Sequence, residues 1–149
     1  MINPSLQEII GEAKGQYLAG LNCAEAAFWA LAKHWEIDIP YSVATVLGGG
    51  VARGGGPCGA LLGAMLAIGA KVGRKDPADE AAKAECYRLG QELTEVFTKV
   101  MGSSLCKDII GFTLKEEGGK ERYAAGGFKD GCCLNAVVAA ISAASQILG

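Results

Sequence analysis

A chain of 149 residues can bury a proper core as one domain without disulfide or metal staples. Half of its residues are apolar, and 14 Lys and Arg stand against 16 Asp and Glu, for a net charge of −2. That balance excludes the basic footprint of a nucleic-acid-binding protein and a polybasic membrane patch, so neither nucleic acid nor membrane is expected as a partner.

The chain reads as helices from its first turn. Ser5-x-x-Glu8 is a capping box, and Leu6, Ile9, Ile10, Ala13 and Tyr17 follow at helical spacing up to Gly20. Asn22-x-x-Glu25 opens a second helix through Phe28, Trp29 and Trp35, aromatics expected in the core or at a dimer contact. Ile37-Asp38-Ile39-Pro40 breaks it, and residues 41–47 form a short element whose type the pattern leaves open. A glycine loop, residues 48–57, leads into a buried helix over residues 58–72, where Gly59, Gly63 and Ala67 make a smooth groove for another helix. Asp76 and Pro77 are expected as N-cap and first residue of a long helix running to Met101. Ser103 and Ser104 cap a short piece ending at Ile110, residues 111–131 read as a mobile polar excursion, and residues 130–148 form the last helix. The expectation is an all-α, single-domain, compact bundle of about five to six helices covering residues 1–149.

Residues 1–8 lack a basic and an apolar signal region, and the longest apolar run read here, residues 57–70, falls short of the roughly 20 residues a spanning helix needs. A soluble, cytoplasmic protein is therefore expected. In that compartment six cysteines read as reactive or metal-binding thiols rather than a disulfide framework.

Five of the six fall at helix starts. Cys23 follows Asn22, Cys58 follows Pro57, Cys106 follows Ser104 by two residues, and Cys132 and Cys133 follow Asp130-Gly131. Unpaired N–H groups at such starts favour thiolate, the form that attacks electrophiles and binds metals. Core packing has no preference for first turns, so the coincidence points to a shared thiolate site. Cys86, in line with Ala82, Leu89 and Leu93, reads as a mid-helix packing residue. Cys133 shares a stripe with Val137, Ala140, Ile141 and Ala144 and is favoured over Cys132 as the inward one.

A lone cysteine, then Cys58-Gly59-Ala60-Leu61-Leu62-Gly63 after a glycine run, then two further cysteine positions, resembles the C_GCAxxG_C_C family, whose name refers to redox activity. The resemblance covers essentially the whole chain. Its four positions are Cys23, Cys58, Cys106 and either Cys132 or Cys133; Pro57 stands where the family usually has glycine. The family is also similar to a domain of split-Soret cytochromes, which implies an iron–sulfur site as one occupant. No Cys-x-x-Cys-His occurs, so haem does not carry over.

Other motifs are weaker. Gly54-x-Gly56-x-x-Gly59 fits a dinucleotide fingerprint formally but lacks its βαβ setting. His34, the single histidine, reads as a surface or interface residue, which leaves no mixed Cys/His zinc site. Arg53, in the loop, is a candidate partner for a Cys58 thiolate, and Gly59 gives clearance beside it.

Three functions stay open. One is a thiol redox protein with Cys58 as the activated thiolate, resolved by Cys23, Cys106 or Cys133, serving an electron-transfer or redox partner. A second is an iron–sulfur or zinc module bound by Cys23, Cys58, Cys106 and Cys133. The third is a helical interaction protein with inert cysteines. The apolar excess favours a homodimer.

Overall fold

Two capping boxes set the first two helices. The Ser5 hydroxyl accepts from the Glu8 N–H while the Glu8 carboxylate accepts from the Ser5 N–H, opening α1 (Leu6–Ala19), which closes at Gly20. Asn22 and Glu25 repeat the arrangement at α2 (Cys23–His34). Each box satisfies two backbone donors that a helix start leaves orphaned. The computed structural model describes residues 4–149, so residues 1–3 of the segment read for a targeting signal lie outside it.

The short element after α2 is a 3₁₀ turn, Tyr41–Leu47. The glycine loop beyond it winds left-handed: Gly49, Gly50, Val51, Ala52 and Arg53 have φ of 69°, 77°, 65°, 50° and 65°. Three of these carry side chains, and left-handed backbone costs such residues about 1–2 kcal/mol each. Hydrogen bonds offset the cost, from the Ala52 N–H to the Val46 carbonyl (2.7 Å) and from the Gly56 N–H to the Gly50 carbonyl (2.9 Å).

Helix α3 (Gly59–Val72) follows, then α4 (Glu80–Met101), which starts later than Asp76 predicts. Asp76 and Pro77 instead begin a turn closed by the Asp79 N–H on the Asp76 carbonyl at 3.0 Å. Asp-Pro suits the first two positions of a turn as well as a helix start. Asp79 then supplies the cap, accepting from the Ala82 N–H.

The C-terminal third departs further. After α5 (Cys106–Ile110), the stretch read as a mobile excursion contains α6 (Gly119–Ala125). With α7 (Leu134–Leu148) the α-helices number seven among the described residues, one more than the upper expectation. The excursion orders itself on aromatics that its polar composition hid. Phe112 meets Phe128 edge-on at 5.2 Å, Tyr123 stacks on Phe128 at 6.0 Å, and these cover Cys106 and Ile110. The last helix also begins later, because Gly131 (φ −103°, ψ −110°) interrupts a π-type turn over Lys129–Cys133.

The described residues contain no strand, only an isolated bridge between Pro57 and Leu105, so the fold is all-α and the glycine fingerprint has no βαβ unit to serve. Helix α7 packs on α1, α2, α3 and α4, burying Val137, Ala140, Ile141 and Ala144. The segment Lys129–Leu148 is long and apolar enough to cross a membrane, and α7 within it packs on four other helices. Phe28 and Trp35 are core residues, whereas Trp29 is half-buried beneath the Lys33 ammonium.

The closest backbone approach joins α2 to α3. A Cβ on Gly63 would collide with the Ala24 carbonyl oxygen, and a Cβ on Gly59 would meet the Cys23 Sγ at 2.5 Å. Both obstacles lie on the opposed helix, and at Gly63 the obstacle is backbone, which moves only if the helices part. Gly63→Ala is expected to lose about 1–3 kcal/mol of unfolding free energy by denaturant titration. Gly15→Ala, facing open space on α1, should be neutral or gain up to about 1 kcal/mol. Equal effects at the two positions would contradict the close approach.

Candidate thiol site

The close approach of α2 and α3 joins two cysteines at the ends where both helices begin. Cys23 is the first residue of α2 and Cys58 caps α3. Cys23 Sγ sits against Gly59, whose Cα lies one peptide, about 3.8 Å, from that of Cys58.

A third cysteine is tied in by backbone pairing. The Cys58 N–H donates to the Ser104 carbonyl and the Cys106 N–H to the Gly56 carbonyl, both at 2.7 Å, on either side of the Pro57–Leu105 bridge. Cys58 and Cys106 each stand one step from that bridge, so alternation directs both side chains to one face. The fourth arrives with the turn before α7. Cys133 lies near Tyr123 of α6, both packing against the small second core.

Cys23, Cys58, Cys106 and Cys133 line one cavity of about 680 Å³. Gly59 and Arg53 line it as well, Arg53 with an exposed side chain. Cys132 packs with Phe112 and Ile110 in the small second core. Cys86 lies apart on α4 beside Met65 and Tyr87. His34 sits at the other end of α2, about 16 Å along the axis from Cys23, within 3.0 Å of the Gly149 carbonyl. All six cysteines are free thiols.

The electrostatics run opposite to the helix-start expectation. Burial pushes the Cys58 thiol up to about 12, with Cys23 and Cys106 adding to the rise. Burial raises Cys106 to about 11 and lifts Cys23 and Cys133 as well. Backbone N–H groups do point at the sulfurs, those of Gly49 and Ala60 at Cys23 and those of Ala60 and Leu61 at Cys58. Desolvation of a lone anion outweighs them. The expected thiolate at Cys58 is therefore a protonated thiol at neutral pH. The leading influences on Cys58 are its burial, Cys23, Cys106 and these N–H groups; Arg53 is not among them.

Among the described residues no three Cys, His, Asp or Glu side chains are placed to hold a metal ion. The donor set itself, four thiols with N–H groups beside them, is of the kind that soft metals and iron–sulfur clusters use.

Four titratable cavity residues escaped the sequence reading. Tyr17, read as a core residue of α1, has its hydroxyl 3.4 Å from that of Tyr123, 106 positions away. Burial raises both phenols above their ordinary range. Lys120 and Lys129 line the cavity from α6 and the π-type turn. No local pattern marks these positions, because each depends on how the 111–131 segment folds back over α1.

Residues 21–147 match the family model described as "Putative redox-active protein (C_GCAxxG_C_C)". The chain belongs to that family. No curated protein and no solved structure matched it.

Retained protons give a direct expectation. Thiolate is the nucleophile, so alkylation of Cys58 by iodoacetamide, followed by peptide mass spectrometry, should rise about tenfold per pH unit from pH 7 to near pH 11. A plateau near pH 9, where an ordinary thiol levels off, would contradict the burial argument. Stability should follow the same protons. Unfolded thiols ionise near 9 while folded ones hold on to about 11 and 12, so this stabilisation is complete below pH 9 and declines as pH rises through the folded values. A melting temperature flat from pH 8 to 11 would contradict it.

Proposed function

We propose that the protein is a dithiol–disulfide redox protein whose working pair is Cys58 and Cys23. The observation that carries this reading is the seating of Cys23 Sγ against Gly59, one residue from Cys58, in a cavity that two further cysteines share. Membership of a family named for redox activity supports it.

The chemistry balances on the chain's own thiols and an incoming disulfide. Cys58 sulfur attacks one sulfur of that disulfide, giving a mixed disulfide and releasing the first thiol, which takes the Cys58 proton. Cys23 sulfur then attacks Cys58 sulfur, the Cys23–Cys58 bond forms, and the second thiol leaves with the Cys23 proton. Two electrons and two protons pass to the substrate disulfide. Cys106 and Cys133 stand in the same cavity as a second pair able to take over the disulfide by exchange. Dithiol and disulfide are both neutral, so burial that opposes thiolates leaves the two end states unpenalised.

A second reading keeps the same four sulfurs and uses them to hold an iron–sulfur cluster or zinc. The N–H groups aimed at Cys23 and Cys58 favour it, since such donors stabilise ligated sulfur.

Redox titration at several pH values separates the two. A dithiol that keeps both protons should show a two-electron potential falling about 59 mV per pH unit, two factors of ten at 29.6 mV each, to beyond pH 9. Cys58→Ser and Cys23→Ser should each abolish the Cys23–Cys58 couple, leaving at most a Cys106–Cys133 couple, and Cys86→Ser should leave the Cys23–Cys58 couple unchanged. A pH-independent potential, with visible sulfur-to-iron bands and bound iron and sulfide in anaerobically purified protein, would replace the dithiol with a cluster. Absence of any couple would leave zinc, detected by metal analysis, or, with no metal bound, inert cysteines in a helical interaction module.

A further inference from the structure

The ionised side chains lining the thiol cavity are all of one sign. Arg53 from the left-handed loop, Lys120 from α6 and Lys129 from the π-type turn line it, and no Asp or Glu is among the lining residues. The carboxylate of Glu25 is close by but engaged, accepting from the Asn22 N–H at 2.8 Å and from the Thr45 hydroxyl at 2.7 Å. Ion pairs among the described residues use Lys33, Arg74 and Arg88, so these three cations have no carboxylate partner there. In a chain of net charge −2 this is a local reversal of sign.

Two of the cations are placed against other lining residues. The Lys129 ammonium lies 5.2 Å from the ring centre of Tyr17, itself a lining residue. The Arg53 side chain folds back over Gly49, where an added Cβ would meet its Cγ at 3.0 Å. Cys58, the attacking sulfur, is 6% exposed, out of reach of a disulfide carried on a convex protein surface, while its partner Cys23 is half-buried. A volume of about 680 Å³ suits a small molecule.

We propose that the cavity takes a small disulfide bearing carboxylates, held through those carboxylates by Arg53, Lys120 and Lys129 with its sulfur–sulfur bond over Cys58. The inference deepens the dithiol reading and rests on it. The products are two small thiols and the Cys23–Cys58 disulfide. A field of one sign in a walled cleft raises the local concentration of the opposite charge, and salt weakens it.

The test mixes the reduced full-length protein with three small disulfides of differing charge. These are dithiodiglycolate (dianion), bis(2-hydroxyethyl) disulfide (neutral) and cystamine (dication), each rate divided by that with a free small thiol. At low salt the dianion should outpace the dication by about tenfold or more. The ratio should fall toward one in about 0.5 M salt and in the R53Q/K120Q/K129Q variant, its fold checked by circular dichroism. Equal normalised rates would overturn the anion site while leaving the dithiol reading intact. If no disulfide oxidises the protein, the dithiol reading fails. The charge preference is then read from alkylation of Cys58 by iodoacetate against iodoacetamide, again normalised to a free thiol. Favoured iodoacetate would keep an anion-attracting cavity, and equal rates would overturn it.

Discussion

Helix α3 lies on α2 with no side chain between them at Gly63, whose Cα faces the Ala24 backbone directly. The thiol site depends on that contact. Both helices begin at the same end of the bundle, so pressing them together there brings Cys23 beside Gly59 and hence beside Cys58. The sequence supports the approach on both sides. Helix α2 offers Ala24, Ala27 and Ala30 as buried small residues, and α3 answers with Gly59, Gly63 and Ala67. A β-carbon at Gly63 would move the helices, and with them the distance between the two sulfurs.

Burial then decides the chemistry. A helix start offers a sulfur partial positive charge within its first turn, an effect of about 0.3–1 kcal/mol at exposed sites. Removing a lone thiolate from water costs more, and neighbouring sulfurs add repulsion. Cys58 therefore keeps its proton to about 12 despite the Ala60 and Leu61 N–H groups beside it. Burial of this kind favours neutral thiols over thiolates.

Much of the fold was legible because its signals are local. Ser5 with Glu8 and Asn22 with Glu25 form their capping boxes from residues three apart, and Gly20 and Gly102 end the helices before them. Asp76-Pro77 misled because the pair serves a turn and a helix start equally well, and Asp79 took the cap. The polar segment 111–131 hid α6, since Phe112, Tyr123 and Phe128 are too widely spaced to form a stripe yet meet once the chain turns. The four cysteine positions stood out by their order in the chain, and the cavity they share was a matter of packing. Tyr17, Lys120 and Lys129 reach the cavity only through long-range folding, and no spacing rule finds them. The sign of the thiol pKa shifts was misjudged for the same reason, because first-turn position is local and burial is not.

The left-handed loop walls one side of the cavity. Val51, Ala52 and Arg53 hold a backbone that side chains resist, and their turn sets one wall of the cavity beside Cys106 and Gly59. Strain of this kind persists only where surrounding bonds over-determine it, and it clusters at functional sites. On the proposed function, α2 and α3 present Cys23 and Cys58 to one another as a redox pair. Its most direct measurement is disulfide mapping, by digestion and mass spectrometry under non-reducing conditions, of protein oxidised with a stoichiometric amount of a small disulfide. A first-formed link between the Cys23 and Cys58 peptides is the predicted result. A first link that leaves either residue free would contradict it.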